Sequence, residues 1–332
     1  CSSDLKGILM LELRASSTQE LQNELNSLID TLEEINLSYD FSILKGDEIQ
    51  SALYLRSAGL GLLGNIVGDK KAVACIEDTA VPVEQLADYI EEFTALMKQY
   101  DQNPVYYAHA GAGELHLRPM LNLKKQNDVD QFKAITTAVA HLVKKFKGSM
   151  SGEHGDGIVR SEFISYMLGN SNYELIKEVK QIFDPFSIFN PGKIVDSLPM
   201  DQNLRYQPER KEPDIDTFMD FNADQGILRA VEKCNGSGDC RKTTTDATIC
   251  PSYRATKDEK DSTRGRANVL REALTNSDSK NPFDNPQIKE VMDLCISCKA
   301  CASECPSSVD IASYKAEFLY QYQKKYRPRL RD

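Results

Sequence analysis

The pattern of apolar and polar residues changes about two thirds of the way along the 332-residue chain. Up to residue 195, short apolar runs alternate with longer amphipathic stretches, which predicts strands interleaved with helices. The predicted strands cover 7–15, 37–43, 71–77, 104–109 and 114–119, and the predicted helices cover 17–36, 47–62, 82–100, 128–147 and 171–183. Beyond residue 217 the strand pattern disappears, and short helical patterns remain.

This order of elements divides the chain into two predicted domains. Residues 1–196 are expected to form an α+β layer with paired strands and with helices on one face of the sheet. Residues 197–216 are polar, contain proline and lack periodicity, so they are predicted to be a linker. Residues 217–332 are expected to form an all-α domain.

Composition narrows the class of protein. The chain is 41% hydrophobic and 27% charged, as ordinary globular proteins are. It contains no run of about 18 apolar residues, so we expect no transmembrane helix, although peripheral association with a membrane stays open. The formal net charge of −10 is uneven, because residues 226–332 carry 19 basic and 15 acidic side chains. This modest basic excess fits offsetting of thiolate charge or simple surface variation better than nucleic acid binding.

Three of the four histidines lie in two short glycine-rich segments. His109 and His116 flank a turn containing glycines, and two strands joined by such a turn could bring their imidazoles together. Two histidines and one carboxylate form a common ligand set for a divalent ion, and Glu153 is the natural third ligand. The neighbouring His154 would then be free to act as a base. His141 lies within a predicted helix and is expected to be structural.

Seven of the nine cysteines lie in the last third of the chain. Such clustering favours metal binding in a reducing cytoplasm over a disulfide framework. The run Cys295-x2-Cys298-x2-Cys301-x3-Cys305-Pro306 has the spacing of bacterial ferredoxins, whose fourth cysteine ligates the other of two clusters. Zinc is the weaker alternative for this spacing.

A second group of cysteines, Cys234-x5-Cys240-x9-Cys250-Pro251, is similar to a diverged partner motif. By the crossing rule, Cys250 completes the [4Fe–4S] cluster held by the first three cysteines of the ferredoxin-like run. Cys234, Cys240 and Cys305 then hold the second cluster with only three thiolates. That cluster is predicted to be [3Fe–4S], or [4Fe–4S] with a ligand other than cysteine. Cys75 lies in an apolar pattern and is expected to be a core residue.

Several segments resemble motifs of the FAD-linked 2-hydroxyacid dehydrogenases. This family includes D-lactate dehydrogenases, D-2-hydroxyglutarate dehydrogenases and the glycolate oxidase large subunit. The resemblance covers residues 5–195 and rests on HAGAGELH (109–116), SGEHGDG (151–157) and FDPFSIFNPGK (183–193). STRGRANVLREAL (262–274) resembles the helical ferredoxin region of fused flavin and iron–sulfur dehydrogenases. The implied fold is a ferredoxin-like antiparallel sheet with helices on one face, followed by an all-α helical ferredoxin domain.

The resemblance also implies roles for individual residues. His109, His116 and Glu153 become ligands of zinc or another divalent ion, and His154 becomes the catalytic base. Arg56, in ALYLRSAG, corresponds to the arginine that binds the substrate carboxylate.

In the same comparison, Asn190 corresponds to a residue that touches the flavin. Two positions depart from the family pattern, because Ala112 and Glu114 stand where relatives carry Asp and Asn. Arg118 stands where many relatives carry Asn, and it could contact a second substrate carboxylate or cap its strand. Nothing in the chain resembles the family's FAD-binding domain, so we expect this chain to be a segment of a longer enzyme.

Taken together, the resemblance implies oxidation of a D-2-hydroxy acid, D-lactate or D-2-hydroxyglutarate, to the 2-oxo acid. The hydride would pass to FAD held mainly by the missing domain, and the electrons would pass through two iron–sulfur clusters to a quinone or carrier protein. We place such an enzyme in the cytoplasm, with the inner face of the membrane as the alternative. One rival hypothesis is a non-catalytic iron–sulfur electron-transfer subunit, and another is a zinc-binding regulatory module.

Overall fold

A computed structural model describes residues 7–36, 40–244, 246–277 and 279–326. The chain separates into two compact units, Cys1–Arg56 and Ser57–Asp332, and the division falls within the second helix. That helix, α2, spans Asp47–Gly64. No helix among the described residues combines the length and the apolar character needed to cross a bilayer.

The first unit contains helix α1, Thr18–Ile35, at the predicted position. The Ser17 side chain accepts a hydrogen bond from the backbone N–H of Glu20, while the Glu20 carboxylate accepts one from the Ser16 N–H. These reciprocal bonds satisfy donors that a helix N-terminus otherwise leaves free. The sequence therefore marks the start of α1 correctly.

The two strands predicted near the N-terminus are not present in the described residues. Residues 7–15 and 40–43 have no regular structure, and the remaining predicted positions, 37–39, lie outside the described residues. Ile8 and Leu9 are 77% and 68% exposed. A strand requires a neighbour that accepts its backbone hydrogen bonds, and the local pattern of apolar residues cannot supply one.

The second unit begins with strands and long helices and continues with shorter helices. Its strands are β1 Lys71–Ala72, β2 Ile76–Ala80, β3 Val105–His109, β4 Glu114–Arg118 and β5 Met120–Leu121. Its first helices are α3 Leu86–Gln99, α4 Gln126–Lys145, α5 Ile164–Leu168 and α6 Asn170–Phe183. Its later helices are α7 Ile227–Glu232, α8 Pro251–Thr256, α9 Thr263–Asn276, α10 Pro286–Asp293, α11 Ala300–Glu304 and α12 Ile311–Gln323.

The central sheet is antiparallel and has the order β2-β4-β3, and β1 pairs separately with β5. The single strand predicted over 71–77 is therefore wrong in detail. Residues 71–72 pair with β5, whereas the chain from Ile76 pairs with β4. The connecting residues turn where the Val73 N–H bonds to the Pro119 carbonyl and Cys75 enters the core.

Helices α3 and α4 cover one face of this sheet. Their buried apolar residues form one core with Leu115 and Leu117 of β4, including Phe93, Met97, Phe132, Ile135, Val139 and Val143. Because side chains alternate along a strand, the neighbouring residues of β4 face the opposite side of the sheet. The functional side chains described below lie on that side.

A separate apolar core lies in the helical part of the second unit. It contains residues between Phe221 and Phe318, six of the seven clustered cysteines pack in or against it, and the described residues from 222 to 326 include no strand. Lys124, at the end of the sheet region, forms ion pairs with Glu212 and with Glu232 of α7. These ion pairs join the part of the unit built on the sheet to the part built on short helices.

Candidate functional site

The β3–β4 hairpin brings two of the predicted metal ligands together. In its register, His109 lies opposite Glu114 and Tyr107 lies opposite His116. Paired residues and residues two apart share a face of the sheet, so these four side chains project to the same side. The ring centroids of His109 and His116 are 5.4 Å apart.

The loop that follows α4 carries the other two predicted residues to the same place. The Oε1 atom of Glu153 lies 3.9 Å from Nε2 of His109, 3.6 Å from Nε2 of His116 and 3.1 Å from Nε2 of His154. The rings of His116 and His154 stack with their centroids 5.1 Å apart. Three imidazoles, one each from β3, β4 and this loop, therefore converge on the Glu153 carboxylate.

Asp78, which the sequence analysis did not select, holds this loop in position. Its carboxylate accepts hydrogen bonds from the backbone N–H groups of Glu153 and His154, at 2.7 and 2.9 Å, and from the Ser151 hydroxyl. Its backbone carbonyl accepts the N–H of Gly152. Asp78 has φ +80° beside a register shift in β2, so a β-bulge aims its buried side chain at the loop.

The charges around Asp78 match its role as an acceptor. Arg160 donates to its carboxylate at 3.2 Å. Burial alone would raise the pKa of Asp78, but hydrogen bonds from Glu114 and from the backbone N–H groups of Glu153 and His154 lower it to about 2. Asp78 is therefore an anion that organises the backbone under the candidate ligands.

Glu114 differs from Asp78 in its protonation. The pKa of Glu114 is raised to about 7 by burial, by its hydrogen bond to Asp78 and by the negative charges of Glu153 and Asp78. Burial also lowers the pKa of His116, which favours the neutral imidazole that a metal requires. Glu114 occupies the position at which the family carries Asn.

The arrangement fits a divalent metal ion. His109, Glu114, His116 and Glu153 each offer one ligand atom, and these atoms all lie within 4.8 Å of one another. Within the described residues, Oε1 of Glu114 is buried without a hydrogen-bond partner. Buried polar atoms rarely remain unsatisfied unless another group completes the site. Nitrogen and oxygen donors of this kind suit zinc and similar ions.

Glu77 and Arg118 form the edge of the same site. Arg118 forms an ion pair with Oε2 of Glu77 at 2.5 Å, and both side chains are largely buried. Oε1 of Glu77 lies 3.6 Å from Nδ1 of His154. Glu77 therefore lies beside Nδ1 of His154 while Glu153 lies beside Nε2. This arrangement allows Glu77 to orient the ring of the predicted base.

Other predicted residues belong to elements elsewhere in the chain. Arg56 ends the first compact unit, on α2, and its role with substrate stays a prediction. Asn190 is exposed, with φ +46°, in the loop after α6, and its contact with flavin also stays a prediction. His141 of α4 lies against the ring of Tyr166 on α5, and its structural role stays a prediction, whereas Cys75 is fully buried in the core, as expected.

The loop that contains Asn190 is ordered by local contacts but exposes many apolar side chains. Asp184 accepts the N–H groups of Ile188 and Phe189 and forms an ion pair with Lys180. The exposed apolar residues here are Ile182, Phe183, Phe186, Ile188 and Phe189, each at least 67% exposed. Exposed apolar patches of this kind mark surfaces that bind another molecule or domain.

The cysteines form two groups in the helical part of the second unit. One cavity is lined by Cys250, Cys295, Cys298 and Cys301 together, which is the set that the crossing rule predicts. Cys234, Cys240 and Cys305 interact electrostatically with one another and form the second group. Arg264 donates its backbone N–H to the sulfur of Cys240 at 3.4 Å, a contact of the type that stabilises cluster thiolates.

Comparison with known proteins identifies the family to which the chain belongs. Residues 2–194 match the family described as FAD linked oxidases, C-terminal domain, and residues 233–310 match a 4Fe-4S dicluster domain. D-2-hydroxyglutarate dehydrogenases of Pseudomonas putida, Haemophilus influenzae and Escherichia coli are 32%, 30% and 28% identical over 98%, 96% and 99% of the chain. The chain spans about a third of the length of these relatives, 35–36% in each case. The chain therefore belongs to the FAD-linked oxidases, whose C-terminal domain it contains, with a 4Fe–4S dicluster domain following in the same polypeptide.

Proposed function

We propose that this chain is the substrate-binding and iron–sulfur segment of a FAD-linked dehydrogenase that oxidises a D-2-hydroxy acid to the 2-oxo acid. The observation that carries the proposal is the convergence of His109, His116 and Glu153 beside His154, whose Nε2 lies 3.1 Å from the Glu153 carboxylate. The names of the three relatives favour D-2-hydroxyglutarate over D-lactate.

In this proposal, His109, His116 and Glu153 hold a divalent ion, zinc in the first instance. When bound, such an ion would polarise the substrate hydroxyl and lower its pKa. His154 accepts the hydroxyl proton at a ring nitrogen, while Glu77 supports the other ring nitrogen of the resulting imidazolium. Arg56 is assigned to the substrate carboxylate by resemblance.

Loss of the hydroxyl proton prepares the substrate to lose a hydride from its α-carbon. Bound FAD would supply the hydride acceptor, and it would be held mainly by a part of the enzyme outside this chain. Asn190 is proposed to touch the flavin. Asn190 lies beside the exposed phenylalanines of residues 183–189, which supports the proposal that another part of the longer enzyme covers this surface.

We further propose that residues 217–332 form a helical ferredoxin domain and that residues 1–196 form the substrate domain. Two separate apolar cores and the ranges of the two family matches support this division. Cys250, Cys295, Cys298 and Cys301 would hold one [4Fe–4S] cluster. Cys234, Cys240 and Cys305 would hold a second cluster, [3Fe–4S] or [4Fe–4S] with a ligand other than cysteine, and pass electrons to a quinone or carrier protein.

The test uses the anaerobically purified full-length enzyme. We expect dye reduction with D-2-hydroxyglutarate that exceeds reduction with D-lactate or glycolate. His154→Ala should lose turnover but keep its divalent metal, whereas His116→Ala should lose both. No turnover of any of the three acids in a preparation with verified flavin and clusters would contradict the proposal. Unchanged metal content in His116→Ala would favour a non-catalytic electron-transfer subunit instead.

A further inference from the structure

Arg266 on α9 is a fully buried cation next to one of the proposed clusters. Its relative exposure is 0%, and it is the largest of the fully buried side chains in the described chain. Burying a guanidinium is costly unless its donors are satisfied and its charge is compensated. The partners of Arg266 therefore indicate what this residue does.

Most of these partners surround Cys250. Nε of Arg266 donates to the Val291 carbonyl at 2.9 Å, and Nη1 donates to the Asp261 carbonyl at 2.5 Å and to the Ser252 hydroxyl at 2.9 Å. Nη1 also lies 3.6 Å from the sulfur of Cys250, within hydrogen-bond distance of a thiolate. These contacts fix the plane of the guanidinium against the cysteine.

The remaining nitrogen, Nη2, has no hydrogen-bond partner among the described residues, although it is buried. It lies 3.5 Å from the buried Asp261 carboxylate. Arg266 also lines the cavity that contains Cys250, Cys295, Cys298 and Cys301. A buried guanidinium nitrogen that makes an ion pair but no hydrogen bond, on a residue at the wall of a cavity lined by four cysteines, points to an acceptor inside that cavity.

We propose that Arg266 donates N–H···S hydrogen bonds to the cluster held by Cys250, Cys295, Cys298 and Cys301 and raises its reduction potential. This inference rests on the proposed function, which supplies the cluster. On reduction the cluster gains one electron from the reduced flavin without a proton, so its sulfurs become more negative. Hydrogen-bond donors and positive charge near the sulfurs stabilise that reduced state.

Arg264, two residues earlier on α9, provides a matched control. Its guanidinium pairs with Glu259 and bonds to the Gly236 carbonyl, and only its backbone N–H reaches a cysteine sulfur. Replacing its side chain leaves that N–H···S bond in place. Arg264 therefore separates a general loss of positive charge on α9 from loss of the direct contact made by Arg266.

The experiment is an EPR-monitored redox titration of the anaerobically purified holoenzyme and its variants. Arg266→Met should shift the midpoint potential of one [4Fe–4S] cluster to more negative values, and Arg266→Lys should give a smaller shift. Arg264→Met should leave that cluster unchanged. The double variant Arg266→Met/Asp261→Asn should show the negative shift while avoiding an uncompensated buried carboxylate that could prevent folding.

Iron analysis of the same samples separates the two levels of inference. A parent enzyme that binds no iron would contradict the proposed function itself. A double variant that keeps the parent's iron and its midpoint potential would overturn the role of Arg266 while leaving the proposed function intact. An equal shift in Arg264→Met would likewise overturn it, because the effect would then be one of general charge.

Discussion

At the scale of single residues, the candidate metal site depends on an acceptor that is not itself a ligand. Asp78 receives two backbone N–H groups and one hydroxyl from the loop that carries Glu153 and His154. It is fully buried and offset by Arg160. Positions like this act on a metal through its ligands, and their loss typically weakens metal binding 10–100-fold.

We therefore predict that Asp78→Asn weakens divalent metal binding by about 10–100-fold, because an amide offers one acceptor atom where the carboxylate offers two. Competition with a chromophoric chelator measures the affinity. Glu317→Gln is the matched control, since Glu317 is a buried carboxylate that also accepts two backbone N–H groups but lies in the helical part. Both variants should lose stability, and equal metal affinity in the two would contradict the prediction.

At the scale of secondary structure elements, the β3–β4 hairpin sets the position of the two candidate histidine ligands. Its turn contains two glycines with different surroundings. Gly113 has φ +70°, and a Cβ atom there would lie 2.0 Å from the Val81 carbonyl oxygen. At Gly111 a Cβ atom would meet nothing within 4 Å. Only Gly113 therefore needs the conformational freedom and the small size of glycine.

From this contrast we predict that Gly113→Ala destabilises the protein by at least about 1–3 kcal/mol, the cost of a strained left-handed residue, with the clash at Val81 adding to it. Gly111→Ala should change stability by less than about 1 kcal/mol. Urea unfolding measures both. Gly113→Ala should also reduce the amount of bound metal, because the clash displaces His109 relative to His116. Equal stability of the Gly113→Ala and Gly111→Ala proteins would contradict the prediction.

The elements also show how far the sequence alone can lead. Helices α1, α3, α4 and α6 begin and end close to the predicted residues, because caps and 3.6-residue periodicity are local signals. The strands predicted at 7–15 and 37–43 were wrong wherever the structure describes them, because strand formation depends on a partner that is remote in sequence. For the same reason the run at 71–77 divided between two sheets.

At the scale of the whole molecule, charged groups connect the two apolar cores of the second unit. Lys124 lies 3.0 Å from Asp69 and 2.9 Å from Glu232 and also pairs with Glu212. Arg229 pairs with Asp69 and Glu212 as well. Burial lowers the pKa of Lys124, but the hydrogen bonds to Glu212 and Glu232 outweigh this effect and hold the pKa above its ordinary value. The lysine therefore stays charged at neutral pH, as the network requires.

Removing this lysine should weaken the connection between the cores. Lys124→Met leaves Glu232, with a side chain only 7% exposed, without its cation, so we predict a loss of about 3–5 kcal/mol in the free energy of unfolding. Lys125→Met is the control, because that lysine is 60% exposed and pairs with an exposed Glu209, an interaction worth about 0–1 kcal/mol. Chemical denaturation compares them. Similar losses in both variants would contradict the prediction, because the buried network would then stabilise the protein no more than an exposed ion pair does.

The sequence by itself determined which residues are the candidates for the chemistry, because the spacing of histidines, glutamates and cysteines is a property of short local motifs. It also determined the helices, whose hydrogen bonds close within a few residues. Only the tertiary structure decided that Asp78, Glu77 and Glu114 surround the candidate ligands. Only the tertiary structure decided, too, that Arg266 is buried beside Cys250 while Arg264 turns toward solvent-exposed Glu259. Burial and pairing of this kind arise from contacts between residues distant in sequence, which no local pattern encodes.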